Sequence, residues 1–350
     1  MHQVRDVRII QSKSLVTPAE LFSEFPLDET TNEFIWQSRT TIEAILSGKD
    51  PRLLAIAGPC SVHDPNALME FADRFREGMA SLTDTIFPVL RVYFEKPRSV
   101  TGWKGLINDP DLDDSFDIDK GLRLARKTLV DVAKLAIPAA TEFLDTTFGQ
   151  YYADLISFGA IGARTVESQV HRELASGLSM PVGFKNGTHG DIGPAVDAIR
   201  SAGHSHWFPT LTSDGLPAIL KSKGNEHSYL ILRGGKDTGP NYFPTHIHQA
   251  TEALRSHGLK ESIIVDCSHG NSEKEHERQV QVLENIGSQI ASGQEAIRGI
   301  MMESHLVPGQ QPITPNLIYG QSITDACLGL EDTLSALGLL ANAAASNHSS

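Results

Sequence analysis

Arg91, Lys96 and Arg98 place three cations within eight residues of a chain whose formal net charge is −13. Around Arg91 the run Pro88-Val-Leu-Arg-Val-Tyr-Phe94 is otherwise apolar, β-branched or aromatic, so it reads as a buried strand. Pro97 then forces a turn that carries Lys96 and Arg98. An arginine inside such a strand requires an anionic partner, because an unpaired buried guanidinium is very costly. Arg164, Lys185 and Arg233 each follow another apolar run. The six cations suit phosphate or carboxylate groups, arginine through its planar fork and lysine as a movable point charge. Glu142 ends a further apolar run. A second set has different chemistry: Cys60, His269 and Glu303 also stand at the ends of apolar runs, and Asp325 lies in the loop Ser322-Ile-Thr-Asp-Ala-Cys327. A thiolate, an imidazole and two carboxylates suit one divalent transition ion, and the mixed set leaves Mn, Fe, Co, Zn and Cu open.

The elements behind these residues repeat as strand, loop and helix. Apolar runs fall at Leu53–Ala57, Val89–Phe94, Pro138–Leu144, Ile156–Ala163, Pro181–Lys185, Ser228–Gly234, Ser262–His269 and Ile297–Glu303. Eight short, nearly all-apolar strands alternating with helices predict an α/β fold, a closed (β/α)8 TIM barrel with a parallel sheet covered on both faces. An open doubly wound sheet is the rival, yet Gly58-Pro-Cys-Ser61 after the first strand is no dinucleotide fingerprint. In a barrel the first and last strands are neighbours, so Cys60 and Glu303 converge, and every strand delivers its polar residue to one end.

Helix signals include Asp64 with Pro65, Thr30 to Glu33 at capping-box spacing, Thr165 before a helix ending at Gly177, and Ser272 to Glu275 before a helix reaching Gly293. His206 to Thr212, a turn at Ser213-Asp-Gly215, and Pro217 to Ser222 read as an inserted β-hairpin at about 204–223. The expected organisation is an N-terminal helical extension over 1–50, a catalytic barrel over 51–345 and a frayed tail over 346–350. His63, His171, His189, His246 and His248 are expected at the surface, and Trp103 and Trp207 in packing or an interface. Gly187-Thr-His-Gly190 and Gly234-Gly235 could bring backbone N–H groups towards phosphate.

The acidic balance, with a pI near 5.5, argues against nucleic acid or an anionic membrane as partner. No apolar run reaches the roughly 18–20 residues of a membrane span, and the start lacks the apolar core of a signal peptide. Cys60, Cys267 and Cys327 are too widely spaced for a disulfide framework, which fits a reduced cytoplasm.

The longest blocks carry a family likeness. Gly58-Pro-Cys-Ser61, Arg91 to Arg98, Gly102-Trp-Lys-Gly-Leu-Ile-Asn-Asp-Pro110, Gly159 to Thr165, Glu167 to Gly177, Pro181 to Thr188, Leu232-Arg-Gly-Gly-Lys236, Glu303-Ser-His-Leu306 and Ser322 to Cys327 closely resemble the class I 3-deoxy-D-arabino-heptulosonate 7-phosphate (DAHP) synthases. The likeness runs from about Arg8 to Ala343. It implies condensation of phosphoenolpyruvate with erythrose 4-phosphate at the entry to the shikimate pathway, in a metal-dependent barrel assembled as a homodimer or homotetramer. It also implies Cys60, His269, Glu303 and Asp325 as metal ligands. Arg91, Lys96, Glu142, Arg164 with its neighbour Ala163, Lys185 and Arg233 would surround phosphoenolpyruvate, while Arg98 and Ser99 hold the sugar phosphate. Lys96, Glu142, Lys185 and His269 form the expected catalytic group. The likeness further implies an aromatic amino acid effector at Gln150, Leu178, Ser179, Phe208 and Thr210, beside a neighbouring subunit's N-terminal extension. Thr210 departs from the serine or glycine of phenylalanine- and tyrosine-sensitive relatives, leaving those two effectors even and tryptophan behind. Two alternatives are a related synthase acting on arabinose 5-phosphate and a non-catalytic regulatory paralogue.

Overall fold

A computed structural model of the chain describes residues 4–347. Two helices come first, α1 (Pro18–Glu24) and α2 (Glu29–Leu46). Thr17 and Glu20 close a full capping box on α1. The N-cap of α2 is Asp28, which accepts from Thr31 N, so Thr30 lies inside the helix and does not open it.

The barrel strands are β1 (Leu53–Gly58), β2 (Ile86–Arg91), β3 (Ala139–Glu142), β4 (Phe158–Ile161) and β5 (Val182–Lys185). An antiparallel hairpin of β6 (Trp207–Leu211) and β7 (Pro217–Lys221) interrupts them before β8 (Ser228–Leu232), β9 (Ile263–Asp266) and β10 (Ile297–His305). The sheet order is β1-β2-β3-β4-β5-β8-β9-β10, and β10 pairs in parallel with β1 to close the ring. This is the (β/α)8 barrel, not the open doubly wound sheet. Outside it pack α3 (Pro65–Met79), α4 (Ile118–Lys134), the short α5 (Gly149–Tyr152), α6 (Gln169–Gly177), α7 (Gly193–Ala202), α8 (Pro244–Ser256), α9 (Arg278–Ala291) and α10 (Leu330–Asn347). Asp64 accepts from the first N–H groups of α3, with Pro65 at its first position, as the sequence predicts.

Strand alternation divides the core into two layers. Leu53, Ala55 and Ala57 face the helices, whereas Leu54 and Ile56 join Val89, Phe158, Tyr229, Ile231, Ile264 and Met301 inside the ring. Ile42, Ile45 and Leu46 of α2 belong to that inner cluster, so the N-terminal helix stoppers the amino-terminal end of the barrel. Gly48 sits against Arg298 at the start of β10, the same end. Burying such side chains contributes about 1.5–3 kcal/mol each, and the stopper leaves the carboxyl-terminal end as the open mouth.

Two helix starts differ from expectation. Residues Ser272 to Glu275 form turns, and α9 begins only at Arg278. Thr165 donates to Gly162 O, and α6 begins at Gln169. In both cases polar residues at capping spacing hold the loop that follows a strand. Among the expected surface histidines, His63 and His171 are buried. His171 is held between Ser168 Oγ and Leu144 O at 2.8 Å each. Trp103 is buried with its Nε1 donating to Asp109 O, and Trp207 on the hairpin is exposed. Of the expected tail, residues 348–350 lie outside the described residues, and Ser346 sits in the last turn of α10.

Candidate active site

The open end of the barrel holds a cavity of about 1020 Å³. Its lining includes Cys60, Arg91, Lys96, Arg98, Ser99, Glu142, Ala163, Arg164, Lys185, Arg233, His269 and Asp325, contributed by the ends of all eight barrel strands and the loops that follow them. Glu303, from the eighth strand, lies just behind the lining and is buried.

Barrel closure aligns Gly58 with Glu303, which brings the loop after β1 to the carboxylate on β10. Asp325 reaches the same point from the loop after β10, and ligand atoms of Cys60, Glu303 and Asp325 all lie within 4.8 Å of one another. The fourth expected ligand, His269, stands three residues past β9 in a left-handed conformation (φ 57°). Its Nε2 is 3.5 Å from Glu303 Oε1, at the edge of the three-residue cluster. Its Nδ1 faces Asp266 Oδ2 at 2.9 Å and Ser268 Oγ at 2.7 Å. A carboxylate behind one ring nitrogen leaves the other free to ligate, the arrangement that commonly supports a metal-bound histidine. The donor set therefore fits a divalent transition ion in its chemistry and in the support of its imidazole.

The cations interlock with these acids. Arg91 is buried, with Nη2 3.0 Å from Glu303 Oε1 and its guanidinium 3.5 Å above the Tyr93 ring. It also donates to the carbonyls of Pro59 and Cys60. Lys185 donates to Asp266 Oδ2 at 2.7 Å, and both are buried. Burial alone would raise the Asp266 carboxyl, but His269 and Lys185 overturn that and hold it well below the usual range. Lys96 donates to Cys60 Sγ at 2.8 Å and Asp325 Oδ2 at 2.7 Å. Burial pulls its ammonium down, and the surrounding Cys60, Glu303 and Asp325 more than offset this, so the amine is held protonated. Burial pushes the Cys60 thiol up to about 11.

Arg98, Ser99 and Arg164 are exposed, and Arg233 is half-buried. The Arg233 guanidinium is held below its ordinary value by burial despite the attraction of Asp266, and Arg164 adds like-charge repulsion. Among the described residues neither guanidinium forms an ion pair, which suits the two to an incoming dianion. Arg98 is fixed by Nε donating to Trp103 O at 2.8 Å. Gly162 makes room for Glu142: a β-carbon there would fall 2.1 Å from Glu142 Oε1. Gly234 (φ 70°) packs backbone to backbone on Gly270, where a β-carbon would meet Gly270 C at 2.4 Å, tying the Arg233 loop to the His269 loop.

Three residues were missed in the sequence. Asp266 carries the same signal as Arg91, a charge inside an apolar strand. Glu95, buried in the cavity wall, accepts from Asp145 N at 3.2 Å and Tyr152 OH at 3.4 Å. Burial and the neighbouring Asp145 push its carboxyl up to about 8. Gln279 bonds Glu303 through both backbone groups, N at 2.9 Å and O at 2.9 Å, from a position no spacing marks.

The expected effector residues lie apart from this cavity. Gln150 Nε2 is 3.5 Å from Thr210 Oγ1, and Phe208 of β6 is buried against Gly177 at the end of α6. Leu178 is half-buried and Ser179 exposed beside them. The chain's own N-terminal segment meets this hairpin, with Ala19 N donating to Ser213 O at 2.8 Å.

A closed barrel with a thiol and carboxylate cluster beside a ring of cations defines a class: metal-assisted enzymes that handle phosphorylated, carboxylated substrates. Within that class the chain belongs to the DAHP synthetase I family, whose profile matches residues 24–337. It is 51% identical over 344 residues to the Phe-sensitive phospho-2-dehydro-3-deoxyheptonate aldolase of Escherichia coli K12, covering 98% of each chain. It is 48% identical over 333 residues to the Tyr-sensitive aldolase of Salmonella typhimurium LT2, covering 94% of this chain and 93% of that one. The solved phospho-2-dehydro-3-deoxyheptonate aldolase of Francisella tularensis SCHU S4 superposes with a TM-score of 0.95 at 47% identity, over 97% of this chain and 99% of the other.

Proposed function

We propose that this DAHP synthase condenses phosphoenolpyruvate with erythrose 4-phosphate and water, giving DAHP and phosphate, through the division of labour built into its barrel mouth. Arg164, Arg233 and Lys185 take the phosphate and carboxylate of phosphoenolpyruvate, with Arg91 beneath and Ala163 at the edge. Arg98 and Ser99, on the loop after β2, take the sugar phosphate at the other side of the cavity. Two anionic ends held at opposite walls bring the enol carbon and the aldehyde carbon into one geometry, a gain that can be worth about 7–11 kcal/mol of barrier.

Cys60, Glu303, Asp325 and His269 would hold a divalent ion, which when bound polarises the aldehyde oxygen as a Lewis acid. The C3 carbon of phosphoenolpyruvate forms the new bond to the aldehyde carbon, water adds at C2, and the C2–phosphate bond breaks to release phosphate. Lys96, kept protonated by its acidic surroundings, supplies an N–H to the aldehyde oxygen as it gains charge. Glu142, half-buried at the end of the adjacent strand β3, takes a proton from the attacking water. The observation that carries this reading is one cavity lined both by the Arg164 and Arg233 guanidiniums and by Cys60 and Asp325 of the Cys60–Glu303–Asp325 cluster.

The hairpin group around Gln150, Leu178, Ser179, Phe208 and Thr210 is proposed to bind an aromatic amino acid that inhibits the enzyme in a homodimer or homotetramer. The relatives' names, Phe-sensitive, Tyr-sensitive and Trp-sensitive at similar identity, support an aromatic effector without selecting one of the three. A substrate screen tests the activity: loss of phosphoenolpyruvate with erythrose 4-phosphate is expected, and turnover only with arabinose 5-phosphate would refute the assignment.

A further inference from the structure

Three cations reach the acids of the mouth, and they are not held alike. Arg91 is buried with its fork spread over Glu303 and two carbonyls, and Lys185 is buried on Asp266. Neither can leave without exposing a buried charge. Lys96 is different on two counts. Its ammonium bonds Cys60 Sγ and Asp325 Oδ2, two of the three clustered donor atoms themselves. Its partner Asp325 is 58% exposed at the mouth, and Lys96 lines the cavity, so open space for the side chain lies next to its present position.

A divalent cation ligated by Cys60 and Asp325 would use the lone pairs that Lys96 now occupies. Two cations at hydrogen-bond range of the same two atoms also repel strongly where water is scarce. A flexible four-carbon stem can swing its charge several ångströms, which a guanidinium held by three partners cannot.

We infer that the Lys96 ammonium is a displaceable stand-in for the divalent cation: binding of the ion expels it from Cys60 and Asp325 into the cavity, where it meets the substrate anion. The inference rests on the function proposed above and adds an order to it. Lys96 carries positive charge from the ligand cluster to the substrate pocket, so ion and phosphoenolpyruvate must help each other bind. By reciprocity, an anion that holds Lys96 in the cavity removes the ion's competitor, by the same factor that the ion tightens the anion.

The test measures Mn2+ affinity by competition with a fluorescent chelator. The samples are the wild-type chain, Lys96→Met and Lys96→Gln, each with and without phosphoenolpyruvate at a concentration that saturates that protein. Circular dichroism checks that each is folded. Without phosphoenolpyruvate, both variants are expected to bind Mn2+ at least about tenfold more tightly than wild type, and phosphoenolpyruvate is expected to tighten Mn2+ about fivefold or more only in wild type. Unchanged or weaker Mn2+ binding in a folded variant overturns the inference, as does coupling of equal size in all three proteins. If wild type binds no phosphoenolpyruvate at all, the functional reading falls, while the comparison of Mn2+ affinities still decides the role of Lys96.

Discussion

Glu95→Gln should flatten the pH dependence of stability, and the size of the effect follows from where the carboxyl sits. Glu95 is 4% exposed, accepts from Asp145 N and Tyr152 OH, and holds its proton up to about pH 8, against 4.5 for an ordinary glutamate. Below pH 4.5 the folded and unfolded chains are both protonated at this site and nothing is lost. Between about pH 5 and 8 the folded chain keeps a proton that the unfolded chain has released. Stability therefore falls as pH rises, by about 1.4 kcal/mol per pH unit and about 4 kcal/mol over the window. Glutamine keeps the shape, accepts from Asp145 N and donates to Tyr152 OH without titrating. Urea unfolding of both proteins at half-unit steps should show the wild type losing about 4 kcal/mol relative to the variant from pH 5 to 8. Parallel curves would refute the reasoning, because they would mean that Glu95 ionises freely in the folded chain.

Other expectations concern the mouth and the hairpin. Cys60→Ser should weaken binding of the divalent ion far more than it lowers the unfolding midpoint of the chelated protein, because the sulfur's hydrogen bonds run to Lys96 and Asp325 of the mouth, groups that a serine hydroxyl can still bond; equal affinity in a dialysis titration would contradict this. Gly162→Ala places a β-carbon 2.1 Å from Glu142 Oε1, so turnover should fall by about 100-fold with little change in the binding of either substrate. Steady-state kinetics with unaltered kcat would show that Glu142 does not need its position. Removing residues 1–15 leaves Val16 O bonded to Tyr151 OH and the barrel stopper in place. Turnover should therefore persist while inhibition by phenylalanine or tyrosine is lost, and a truncated enzyme inhibited as strongly as the full chain would sink the hairpin site.

The barrel was legible because its strands are buried on both faces and so read as uninterrupted apolar runs. The strand ends were legible because a charged residue after such a run has few structural reasons to be there; Cys60, Arg91, Lys185 and Glu303 all announced themselves this way. Asp266 sent the same signal, but its partner Lys185 is distant in sequence and meets it only in the folded mouth, and no spacing marks His269, three residues on, as its second partner. The helix starts near Thr30, Thr165 and Ser272 misled because polar residues at capping spacing also stabilise loops, and the register of each helix was decided by packing. His63 and His305 show the limit of reading single residues: both are buried, ring to ring at 6.1 Å, although nothing around His63 in sequence is a continuous apolar run. Lys96 belongs by its type to the substrate set, and its bonds to the ligand set emerge only from the fold.

The most direct test of the account is to strip the enzyme with a chelator, add back a divalent ion in steps, and follow DAHP formed from phosphoenolpyruvate and erythrose 4-phosphate. The account predicts no product in the stripped protein and a linear return of activity that saturates at one ion per chain. Full turnover after stripping, or no turnover with any of Mn, Fe, Co, Zn or Cu, would contradict it.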